Sequence, residues 1–70
     1  MGVIEIFLRD INGKKERLFF RNDSDFNAFN WEDYDDENYE ILLVFLDGCC
    51  IYSGLTHEGI YFEELIGFFA

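Results

Sequence analysis

The sequence predicts a small α+β fold: an antiparallel sheet of about four strands, built as two hairpins, with a short middle helix and a C-terminal helix. Three observations lead there. Asn12-Gly13 and Asp47-Gly48, dipeptides that favour tight turns, each stand between two strand-like runs. Phe62, Leu65, Ile66 and Phe69 fall at the i, i+3, i+4, i+7 spacing of an amphipathic helix. The 70 residues contain no Pro, no repeat and no linker-like stretch, so one domain over 1–70 is expected.

Val3 to Arg9 alternates as a strand, with Ile4, Ile6 and Leu8 on one face and Glu5, Phe7 and Arg9 on the other. Glu16 to Arg21 is the return strand. A two-residue Asn12-Gly13 loop would set Ile4 against Arg21. A three-residue loop, Ile11-Asn12-Gly13 with Gly13 left-handed, sets Ile4 against Phe20 and Ile6 against Leu18, gathering the apolar side chains on one face. The same register puts Phe7, Phe19, Arg9, Arg17 and Arg21 on the opposite face. Ser24 is expected to cap the middle helix, with Asp25 in its first turn and Phe26 and Phe29 on one side. Trp31 to Asn38 reads as a loop or frayed turn. Tyr39 to Leu46 is the strongest strand, and its near-continuous apolar run predicts a central position with burial on both faces. Cys49 to Ser53 returns after Asp47-Gly48. A helix is expected over Glu58 to Phe69, capped by Thr56, although Ile60-Tyr61-Phe62 also has strand character and Gly59 weakens the helix.

A chain this short buries only about 60% of the surface that its unfolded form exposes, so it needs a dense core. Half its residues are apolar, and nine Phe, four Tyr and one Trp supply that core. The net charge is -10, and its distribution is uneven. All five bases, Arg9, Lys14, Lys15, Arg17 and Arg21, lie in the first 21 residues, and twelve of the fifteen acids follow them. Phosphates are repelled by such a surface, so direct binding to nucleic acid or to an anionic membrane is excluded and a basic partner favoured. The charge also serves solubility. Neither a signal peptide nor a membrane-spanning run is evident, the longest apolar run being Ile41 to Leu46. A cytoplasmic chain with reduced Cys49 and Cys50 is expected.

Motifs for catalysis and metal binding fall short. Asp23, Asp25 and Asn27 match the opening of a calcium loop, but Ala28 and Tyr34 occupy the positions that need Gly and a bidentate Glu. Cys49 and Cys50 point to opposite faces of a strand and are expected to pack as small buried side chains. Ser53, His57 and the acids follow no nucleophile motif, and no glycine-rich phosphate loop is present. No enzyme, cofactor or metal is expected.

The segment Asp23 to Glu40, DSDFNAFNWEDYDDENYE, carries eight carboxylates and no base, interleaved with Phe26, Phe29, Trp31, Tyr34 and Tyr39. Carboxylates in place of phosphates and rings in place of bases are the chemistry needed to imitate nucleic acid. Within it, Trp31, Glu32, Asp33, Tyr34, Asp35, Asp36 and Glu37 are the expected partner-binding residues, on an exposed loop whose charges can be reversed without loss of folding. Phe26 and Phe29 are expected in the core. In size, acidity and lack of catalytic motifs the chain resembles the small phage-encoded anti-CRISPR and anti-restriction inhibitors, the DNA-mimic proteins. These share no common fold, so the resemblance implies a class of function and no residue roles: a basic surface of a nucleic-acid-binding protein or nuclease complex in the host cytoplasm is blocked. The alternatives are an immunity protein or antitoxin masking a toxin's active site, and an adaptor domain that homodimerises through exposed aromatics. Monomer and homodimer both stay open.

Overall fold

The computed structural model describes residues 2–54 and 59–69. Its elements are β1 (Ile4–Asp10), β2 (Lys15–Phe20), α1 (Asp23–Ala28), β3 (Tyr39–Leu46), β4 (Cys49–Ser53) and α2 (Phe62–Phe69). The four strands form one sheet in the order β2-β1-β3-β4, each pair antiparallel. This is the expected α+β architecture.

The first hairpin closes in the predicted register. Ile4 pairs with Phe20 and Ile6 with Leu18. Asp10 and Lys14 close the three-residue loop through a 2.9 Å backbone hydrogen bond, and Gly13 takes a φ of 84°. The Asp10 carboxylate accepts from the backbone N–H groups of Asn12 and Lys14, both at 2.9 Å, which fixes the turn from inside. The second hairpin is a two-residue turn with Asp47 at φ 53° and Gly48 at φ 82°, the mirror-image turn that matches strand twist. The Asp47 carboxylate accepts from the Val3 N–H at 2.9 Å, tying this turn to the start of β1.

α1 and α2 both lie on one face of the sheet. Ile4, Ile6, Leu8, Phe20, Ile41 and Val44 point into that layer and meet Phe26, Phe62, Leu65 and Phe69. The opposite face carries no helix among the described residues. β3 is interior, as its apolar run predicts, but it is not covered on both sides: Leu43 and Phe45 point to the open face and remain half-buried. Two irregularities bend the sheet. Leu42 is an extra residue in β3 between the pairs Leu8–Ile41 and Phe7–Leu43, and Ile51 is an extra residue in β4 between the pairs Val44–Tyr52 and Phe45–Cys50.

Three local expectations are corrected. The cap of α1 is Asn22, whose side chain accepts from the Asp25 N–H at 2.9 Å, and Ser24 lies inside the helix. Placing Asn22 first puts both Asp23 and Asp25 in the first turn, where the helix dipole favours them. α2 starts at Phe62 and not at Glu58; Gly59, Ile60 and Tyr61 are outside it. The expected roles of Thr56, His57 and Glu58 lie outside the described residues. Cys49 and Cys50 are both exposed, because β4 is an edge strand and Cys49 and Cys50 open it next to the turn.

Adding a side chain at Gly13 meets no atom within 4 Å, so its backbone conformation alone selects glycine there. Gly13→Val is expected to lower stability by about 1–2 kcal/mol, the usual penalty for a Cβ in the left-handed region. Chemical denaturation measures it, and an unchanged midpoint would refute the turn assignment.

Candidate functional site

The acidic segment leaves α1 and reaches β3 through two successive turns. The Asn30 side chain accepts from the Glu32 N–H at 3.0 Å, and the Tyr34 N–H donates to the Trp31 carbonyl at 3.0 Å. In the second turn the Asp35 carboxylate accepts from the backbone N–H and the side-chain amide of Asn38, both at 2.8 Å. The Asp35 carbonyl accepts from the Tyr39 N–H at 3.0 Å, which delivers the chain into β3. Asn and Asp side chains recur at these corners because they replace backbone acceptors at short range.

Two longer ties fix the loop to the rest of the molecule. The Asp36 carboxylate accepts from the Phe62 N–H at 2.9 Å. That N–H is one of the four at the start of α2 that have no acceptor within the helix, and Tyr61 has no short side-chain acceptor to offer it. The Tyr34 hydroxyl donates to Glu16 on β2 at 2.8 Å. Burial first, and then that hydrogen bond, push the Tyr34 hydroxyl up to about 12.

The seven predicted site residues therefore divide into a floor and a rim. Trp31 and Tyr34 are half-buried and pack against the core. The Trp31 ring lies 4.8 Å from Phe29, 5.1 Å from Phe26 and 5.9 Å from both Phe20 and Phe62, centre to centre. Its indole N–H is buried without an acceptor, so the residue contributes through its ring area. Glu32, Asp33, Asp35, Asp36 and Glu37 are all exposed. The loop is not free of structural duty, however: Asp35 and Asp36 hold it and α2 in place, so reversal of their charges costs folding energy. Of the five rim acids, Glu32, Asp33 and Glu37 carry carboxylates without a hydrogen bond or ion pair to the described residues.

The bases do not neutralise this rim. Arg9 pairs with Glu40, Arg17 with Glu5 at 2.9 Å, and Arg21 with Asp25 at 3.3 Å. All three pairs are solvent-exposed and individually weak, yet they occupy three of the five cations. Among the described residues no Lys or Arg pairs with any carboxylate from Glu32 to Glu37. A shallow cleft of about 380 Å³ opens beside Asp36, lined also by Tyr39, Glu40, Ile41 and Gly59 to Tyr61, and among the described residues it holds no nucleophile poised beside a base. Among the described residues no group of three His, Cys, Asp or Glu side chains converges to hold a metal ion, and no helix is long and apolar enough to cross a membrane.

The charge and the aromatic content of the loop were visible in the sequence. The ties Asp36–Phe62 and Tyr34–Glu16 were not, because they join residues 26 and 18 positions apart. A usable signal for the first was Tyr61 itself, a poor cap at the start of a helix that must find an acceptor elsewhere. No family model, no curated protein and no solved structure matches the chain.

Two measurements test this geometry. Asp36→Ala is expected to cost about 1 kcal/mol, the usual loss for a helix cap, and Asp36→Asn to recover most of it. Glu37→Ala is expected to stay within about 0.5 kcal/mol. Equal effects of the two alanine variants in urea unfolding would refute the Asp36 tie. For Tyr34, the folded state keeps its proton up to about pH 12, whereas an unfolded tyrosine loses it near ~10. Its contribution to stability is thus complete below the unfolded value and is lost as pH rises through the folded one. A spectrophotometric titration is expected to show one tyrosine ionising near 12, and that component to vanish in Tyr34→Phe.

Proposed function

We propose that this chain is a non-enzymatic inhibitor that binds a basic, nucleic-acid-binding surface of a host defence protein or nuclease complex and blocks access of nucleic acid, in the manner of anti-CRISPR and anti-restriction proteins. One observation carries the reading: five exposed carboxylates between Glu32 and Glu37 stand on a loop pinned to β2 and to α2, with no base paired to them.

A groove lined with Lys and Arg is built to receive a closely spaced row of negative charges. Carboxylates on a mobile tail would lose conformational entropy on docking into it; on a pinned loop that cost is already met within the fold. The contact in this reading is made by Glu32, Asp33 and Glu37 first, with Asp35 and Asp36 contributing charge while serving the fold. Trp31 and Tyr34 form the floor that sets the height of the row, and they do not themselves insert into the partner. Long-range attraction between the acidic chain and a basic groove accelerates encounter and weakens with added salt.

The test uses three substitutions that leave the structural ties alone, Glu32→Lys, Asp33→Lys and Glu37→Lys, combined in one chain. Immobilised wild-type protein is expected to retain a nucleic-acid-binding protein from a host lysate and to release it when duplex DNA or salt is added. The triple variant, folded by circular dichroism, is expected to retain at least tenfold less. Equal retention by the two proteins, or release by neither salt nor DNA, would sink electrostatic mimicry.

A further inference from the structure

We infer that the open face of the sheet is the contact surface of a homodimer, covered by the same face of a second copy of this chain. The inference is independent of the function proposed above.

The face is apolar at its centre. Phe7 on β1 and Phe45 on β3 stack edge to face at 5.7 Å, Leu43 lies beside Phe7 in the register, and Phe19 on β2 is 48% exposed. None of these four belongs to the helix-covered core or packs against it. β3 is a continuous run of apolar side chains from Ile41 to Leu46, a pattern that belongs to strands covered on both faces. Among the described residues helices cover only one.

Charge selects the occupant. Apart from this face the molecule is overwhelmingly acidic, and two copies meeting there would bring like charges together. On this face stand Arg9, Lys15 and Arg17 against Glu5 and Glu40, nearly balanced, with Arg9–Glu40 and Arg17–Glu5 already paired. A two-fold contact sets this balanced patch against itself and lets each Arg reach the carboxylate of the other copy as well as its own. A strongly basic partner would leave Arg9, Lys15 and Arg17 opposed by like charge, and nucleic acid would leave Glu5 and Glu40 so.

The area is sufficient for a weak dimer. Four strands at ~4.8 Å spacing and about six residues at ~3.3 Å give a plan area of roughly 400 Å². Side-chain relief raises the accessible area towards the ~600 Å² per partner at the small end of specific interfaces, so a weak, concentration-dependent association is expected. In such a dimer both acidic loops, which belong to the helical layer, stay outside the contact.

Sedimentation of the wild type from about 5 µM to about 1 mM, a range that brackets a weak interface of this size, is expected to move from the 8.3 kDa of one chain to twice that value. Over the same range, backbone amide shifts are expected to change at Glu5, Phe7, Arg17, Phe19, Leu43 and Phe45. Phe19→Lys sits on an edge strand and is already half-exposed, so it leaves the fold intact; it is expected to weaken association by about tenfold or more. The triple loop variant is expected to dimerise like wild type. A one-chain mass throughout, an assembly larger than two, concentration-dependent shifts on α1 or α2 instead, or unchanged dimerisation of Phe19→Lys would each overturn the proposal.

Discussion

Phe26 is fully buried at the place where the layers of this molecule meet. Its ring lies 5.2 Å from Phe20 on the sheet, 5.1 Å from Trp31 in the acidic loop and 4.8 Å from Phe69 in α2. A helix of six residues cannot persist on its own, because so short a segment never recovers the cost of nucleation. α1 exists because Phe26 is held from three sides, and in holding Phe26 the sheet, the loop and α2 are themselves positioned. The constraint behind this is size. With a single apolar layer available, each interior residue must be large, and rings deliver more buried area per residue than aliphatic side chains. The Phe-rich composition is the way 70 residues build a dense core.

That arrangement changes the meaning of the negative charge. Asp10 and Asp35 accept backbone hydrogen bonds inside turns, Asp47 secures the second hairpin to β1, and Asp36 supplies the acceptor that α2 lacks. Many of the carboxylates are therefore the cheapest available acceptors at chain corners, placed where a solvent-exposed ion keeps its hydration while satisfying an N–H. Three more, Glu5, Asp25 and Glu40, hold Arg side chains. Among the described residues Asp23, Glu32, Asp33, Glu37 and Glu63 remain without such a duty, and three of these five stand together on the loop. Net charge alone describes a solubilising coat; subtracting the structural carboxylates leaves a patch with an address on the loop.

The parts of the fold that could be read from the sequence are those governed by short-range rules. The register of β1 and β2 followed from one requirement, that apolar residues share a face, combined with a glycine able to take a positive φ; Ile4 opposite Phe20 is the only pairing that meets both. Asp47-Gly48 named its own turn. The start of α2 could not be read this way, since its acceptor comes from Asp36 in a loop 26 residues earlier. The capping of α1 was misassigned to Ser24 because Asn22 and Ser24 are both good caps, and only the place of Phe26 against the sheet decides between them. Trp31 and Tyr34 were the most deceptive. Their neighbours in the chain are acids, but their neighbours in space are Phe20, Phe29, Phe62 and Glu16, and adjacency along a loop says nothing about which way a side chain turns.

The same distinction bears on how one loop can serve the fold and, in the proposed function, a partner. Residues alternate in duty along it: Trp31 inward, Glu32 and Asp33 outward, Tyr34 inward, Asp35 and Asp36 bound to backbone N–H groups, Glu37 outward. A partner that meets the rim therefore meets charges whose positions are set by rings packed in the core, and a displacement of the rim has to disturb the aromatic cluster to occur. Coupling of this kind makes the row of carboxylates stiff without any additional structure above it. It also separates the effects of substitution by direction. Changes to the outward acids alter only the field that a partner senses. Changes to the inward rings or to Asp35 and Asp36 alter the loop that presents that field, and reach binding through the fold.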